Sequence, residues 1–208
     1  MQSNVYKLTE FFIIFILVPL SFSITYPLAI KMGIGIFGFM YVLFVLLRVE
    51  KNKFKIAPHL NWSMFFKYTF VQLIGIAIVT TLYMWFLDKP NLYVVVLNKP
   101  LLWLFILFVY SVFSVYPQEL IYRTFFFQRY QSLFKNDTLF IVLNATLFSL
   151  AHLFFGNVLV MFLTFIGGIL FAITYKRTKS TLLVTIEHAI YGCWLFTVGM
   201  GSMLGFPS

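Results

Sequence analysis

"PLLWLFILFVYSVFSVYPQELIYR", Pro100–Arg123, runs for nineteen residues without a charge and then places a carboxylate, Glu119, four positions before a guanidinium, Arg123. At about 1.5 Å of rise per helical residue, the uncharged part nearly crosses the ~30 Å hydrocarbon core of a bilayer. Reading it as a membrane helix decides the fold, and the charged pair at its end then needs a reason. Pro117 and Gln118 stand immediately before the carboxylate.

The rest of the chain has the same character. Of its residues 62% are hydrophobic and 10% charged, against about a quarter charged in soluble domains. Aromatics (28 Phe, 12 Tyr, 4 Trp) supply lipid-facing bulk and interfacial anchors. Apolar stretches near 10–30, 33–48, 68–87, 100–117, 138–155, 158–175 and 181–204 predict an all-α polytopic transmembrane helical bundle of about seven spans. Gly33, Gly35 and Gly38 blur the ends of the second. No internal repeat or low-complexity linker divides the chain, so 1–208 reads as a single transmembrane domain. One lysine precedes the first apolar run and no small-residue cleavage site follows it, the pattern of a retained anchor rather than a signal peptide. The lone Cys193 has no partner for an intrachain disulfide and reads as a small packing residue.

Basic residues set the orientation. With the N-terminus cytoplasmic, Lys7, Arg48, Lys51, Lys53, Lys55, Lys67, Arg123, Arg129, Lys135, Lys176, Arg177 and Lys179 fall inside. Only Lys31, Lys89 and Lys99 fall outside. The net charge of +9 is therefore topological, and nucleic acid is not an expected partner.

Ionisable groups within membrane helices cost roughly 2.5–3.5 kcal/mol each to insert, so each needs a partner or a purpose. The set is sparse: Glu119 with Arg123, His152, and the adjacent Glu187 and His188. Bland explanations exist. An i, i+4 Glu–Arg pair neutralises itself. His152 shares a four-residue rhythm with Asn144 and Phe148 and can serve as a helix–helix hydrogen-bonder. Glu187 and His188, about 100° apart on a helix, can meet separate neighbours. Against these stands convergence, since all five follow residue 110, on or bordering the fourth, fifth and seventh predicted segments. The chemistry they point to is hydrolysis: a carboxylate beside a histidine holds and deprotonates water, and a second histidine with an amide stabilises an oxyanion. His and Glu also ligate zinc; no HExxH spacing occurs, so no cofactor is expected, while zinc stays open.

Taken in order, "QELIYR" (118–123), "FSLAH" (148–152) and "GGILFAITYKRTKSTLLVTIEHA" (167–189) resemble the CPBP family, intramembrane proteases related to CAAX prenyl endopeptidases and bacteriocin-immunity proteins. The resemblance covers roughly 117–191. The family pattern is Glu-Glu-x-x-x-Arg, Phe-x-x-x-His and His-x-x-x-Asn. It implies that Glu119 and Arg123 belong to the first motif, Phe148 and His152 to the second, and His188 to the third. In the family the first glutamate is thought to activate water together with the second-motif histidine. Here that glutamate is Gln118, and the third-motif asparagine is Gly192. An amide orients water but does not take its proton. Glu187, or a re-aimed Glu119, is then the candidate replacement carboxylate, and Tyr191 the candidate replacement oxyanion donor.

Depth poses a difficulty. Glu119 is predicted at the cytoplasmic end of the fourth span, whereas His152 falls about 21 Å along the fifth. Either the fifth span starts deeper or tilts, or the chain after Pro117 re-enters the interior, and a break at Pro117 is the expected form of the latter. The resulting expectation is a multi-pass inner-membrane endopeptidase acting on a membrane-associated, lipidated or unlipidated, protein or peptide, with Gln118, Glu119, Arg123, His152, Glu187 and His188 as site residues. The alternatives are a catalytically inactive relative acting as a binding or immunity protein, favoured by Gln118 and Gly192, and a transporter or channel, for which the first three spans offer little beyond Gln72.

Overall fold

Ser3 accepts a hydrogen bond from the Tyr6 backbone amide at 3.2 Å and so starts the first helix, six residues ahead of the predicted span. In the computed structural model, which describes residues 3–52 and 61–206, seven helices are long and apolar enough to cross a membrane. They are α1 (Asn4–Phe22), α2 (Leu28–Val49), α3 (Trp62–Leu87), α4 (Pro100–Leu133), α5 (Asp137–Phe155), α6 (Val158–Thr178) and α7 (Thr181–Val198). No strand occurs among the described residues. Lys53 and Lys55 of the basic set lie outside them.

The expected break at Pro117 does not form. α4 continues through it to Leu133. Proline deletes one backbone donor, and its ring crowds the carbonyl four residues back. Here that carbonyl belongs to Phe113, inside a wide π turn at Tyr110–Val115 that opens the backbone just where the ring arrives. α1 repeats the arrangement, with a π turn at Ile13–Leu17 ahead of Pro19. One result is that Arg123 and Arg129 are helical and buried, 0% and 1% exposed, rather than loop residues. The orientation count becomes ten basic residues against three.

The chain forms two compact units, Met1–Lys55 with Gln118–Thr181, and Ile56–Pro117 with Leu182–Ser208. In the first, an aromatic core gathers Phe15 of α1, Phe125, Phe126 and Tyr130 of α4 and Phe140 of α5. Three helices are tied there by a charged cluster the sequence did not announce. Arg129 Nε lies 2.7 Å from Glu10 Oε2 of α1, and its Nη1 lies 2.9 Å from Glu50 Oε1 just past α2. Tyr130 donates to Glu10 at 2.8 Å, and Tyr41 of α2 donates to the other Glu10 oxygen. α5 and α6 pack closely at Gly168, where a Cβ would come within 2.9 Å of the Ala145 Cα.

In the second unit, Val95, Ile106, Tyr110, Val115 and Phe196 form the core. Indole donors fasten its helices: Trp103 Nε1 to Thr197 Oγ1 at 3.0 Å, and Trp194 Nε1 to Thr80 Oγ1 at 2.9 Å. The last predicted span, 181–204, is a helix only to Val198, followed by a short 3-10 turn at Gly201–Leu204.

Candidate functional site

Within the first unit the depth difficulty disappears. Glu119 precedes the end of α4 by fourteen residues, about 21 Å, and His152 follows the start of α5 by fifteen, about 22 Å. α4 and α5 are joined by three residues, 134–136, and run antiparallel, so both side chains lie at the same distance from that turn. The depth gap came from ending α4 at Pro117.

Glu119 and Arg123 make the ion pair their spacing predicts, Oε2 to Nε 3.3 Å, and neither is exposed. The guanidinium is also held from α5. Its Nη1 donates to Asn144 Oδ1 at 3.0 Å, while Asn144 Nδ2 donates to the Tyr122 carbonyl at 2.6 Å, which fixes the amide's orientation. The same guanidinium lies over the ring of Phe148, 4.6 Å to the centroid, and of Phe171 on α6, 5.6 Å. Sequence reading saw Asn144 in rhythm with Phe148 and His152 but gave it no task; bracing Arg123 is that task.

His152 follows from how α5 ends. The α-helical part stops at Leu150, earlier than the predicted 155. His152 takes bridge-region dihedrals (φ −100°, ψ 4°), and its amide turns to the Ser149 carbonyl at 2.8 Å. The Phe148 carbonyl thereby lacks the His152 amide, its usual helical donor four residues on. The His152 ring meets it instead: Nδ1 lies 2.7 Å from the Phe148 oxygen, and a carbonyl only accepts, so Nδ1 carries the proton. In the neutral ring Nε2 is then the basic nitrogen. Phe148 packs edge-on to the imidazole at 4.8 Å between centroids. Ion pair, Phe148 and His152 thus form one contiguous set, with Gln118 half-buried beside Glu119.

Glu187 and His188 belong to the second unit and are buried, 2% and 7% exposed. The Tyr191 hydroxyl lies 3.2 Å from Glu187 Oε1 and 2.6 Å from Gln72 Oε1 of α3. His188 packs edge-on to Tyr110, 6.0 Å between centroids. Tyr110 was not anticipated, because nothing in the sequence links it to a residue so far along the chain. Among the described residues no three His, Cys, Asp or Glu side chains cluster as metal ligands would.

A family model described as type II CAAX prenyl endopeptidase Rce1-like matches residues 100–194. No curated protein and no solved structure matches the chain. The segment that carries Gln118, Glu119, Arg123, His152, Glu187 and His188 is similar to the type II CAAX prenyl endopeptidases, and the family-level match supports a CAAX-type intramembrane protease in a multi-pass membrane chain.

Proposed function

We propose that the chain is an intramembrane endopeptidase of the CPBP type, hydrolysing a peptide bond of a membrane-associated substrate. The observation that carries this reading is the buried ion pair braced through Phe148 against His152, whose tautomer leaves Nε2 basic. In the proposed reaction His152 Nε2 takes a proton from water as the oxygen attacks the substrate carbonyl carbon. The carbonyl π electrons move to oxygen, and His188 donates a hydrogen bond to that oxyanion. Collapse breaks the C–N bond, and the proton held by His152 passes to the departing amine. Arg123 and Asn144 are positioning residues for this arrangement.

Gln118 leaves the reaction without the family's first carboxylate, and we assign that part to Glu187. The test is hydrolysis of an internally quenched peptide, with and without a prenylated C-terminal cysteine motif, by full-length protein in nanodiscs. His152→Ala and Glu187→Gln are expected to lower kcat by at least about 100-fold. Gln118→Glu is expected to lower it too, because it adds a second carboxylate directly beside the buried Glu119 with no further cation to offset it. A rise in rate with Gln118→Glu, together with full activity of Glu187→Gln, would return the role to position 118.

A second reading, an inactive relative that binds a membrane or lipidated partner, is favoured by Gln118 and Gly192. It predicts saturable peptide binding without cleavage by the native chain. The inner membrane with a cytoplasmic N-terminus is the proposed setting. Lys31→Cys, in a Cys193→Ala background, should react with an impermeant maleimide from outside intact cells; labelling only after permeabilisation would reverse the orientation.

A further inference from the structure

Gly192 lies one helical turn after His188 on α7, at the position where the resembling family carries asparagine. A Cβ at 192 would overlap the Tyr110 hydroxyl oxygen and the adjoining ring carbons. The phenol of α4 therefore occupies the volume that a side chain at 192 would take. Its ring is held edge-on by three neighbours, His188 at 6.0 Å, Phe196 at 4.8 Å and Phe206 at 6.3 Å between centroids. Tyr110 is 8% exposed, and it sits beside the one histidine of this unit's described residues. The Tyr191 hydroxyl, on the same helix as His188, lies 2.6 Å from the Gln72 oxygen and 3.2 Å from the Glu187 carboxylate.

We infer that Tyr110 is a catalytic residue whose phenolic O–H, with His188, donates to the oxyanion of the tetrahedral intermediate, and that Gly192 is the glycine that admits it. The inference rests on the endopeptidase reading. The tyrosine keeps its proton throughout: it donates a hydrogen bond to the oxyanion, and no bond to the phenol forms or breaks. A phenol and an amide are both neutral donors, so exchanging one for the other preserves the electrostatics while moving the donor from α7 to α4.

Tyr110→Phe keeps the ring and deletes the donor. It is expected to lower kcat roughly 10²–10³-fold, the usual loss for one oxyanion-hole donor, with KM changed less than about twofold and the thermal midpoint unchanged. Gly192→Asn alone is expected to lower the thermal midpoint, because its side chain meets the phenol. The double variant Tyr110→Ala/Gly192→Asn gives the amide that space, and it should regain at least about tenfold in kcat over Tyr110→Phe, as returning a donor requires. Native protein that cleaves the quenched peptide while Tyr110→Phe retains its full kcat would overturn the role of Tyr110 and leave the endopeptidase reading standing. Native protein without turnover would overturn both.

Discussion

Replacing Glu119 by glutamine removes the counter-charge of a guanidinium that has no exposed surface. Stranding one member of such a pair costs roughly 3–5 kcal/mol, so Glu119→Gln is expected to lower the thermal midpoint in detergent as well as the rate. An inactive variant with the native midpoint would assign Glu119 to chemistry alone. This pair was legible from the sequence because its members are four residues apart and a helix brings them together whatever else the fold does. Its second support was not: Arg123 reaches Asn144, 21 positions on, through the packing of α4 against α5. Glu10 and Arg129 were illegible for the same reason, being 119 positions apart. The sequence marked both as charged and had no means of matching them.

Helix identity was legible throughout, because apolar length alone fixes it in a bilayer; helix ends were not. Pro117 reads as a stop, and only the π turn before it shows why the helix passes through. The α5–α6 pair offers a test at this scale. At Gly168 an added Cβ meets backbone, the Cα of Ala145, which cannot swing aside as a side-chain tip would. Gly168→Val is expected to destabilise by about 1–3 kcal/mol, read as a lower thermal midpoint. Gly75→Ala on α3 is the control, since nothing lies within 4 Å of its Cβ. Better helix propensity should leave that variant neutral or up to about 1 kcal/mol more stable. Equal behaviour of the two would mean that the α5–α6 contact yields easily.

For the molecule as a whole, the count of spans and their order follow from hydropathy, whereas the grouping into two units depends on contacts between residues far apart in sequence. α4 belongs to both units, and at 34 residues it is about 50 Å long. A hydrocarbon core of ~30 Å accommodates that length by tilting or kinking the helix or by leaving its ends among the headgroups. Membrane thickness then acts directly on the helix that carries Tyr110, Glu119 and Arg123. Reconstitution into phosphatidylcholines of increasing acyl length is expected to give a hydrolysis rate that rises to a maximum and falls, with the native fold retained on both sides of it. A rate indifferent to acyl length would mean that α4 is insulated from the lipid. Where the dependence holds, the chain is active only in bilayers of suitable thickness, and the fatty-acid composition of the host membrane becomes part of its control.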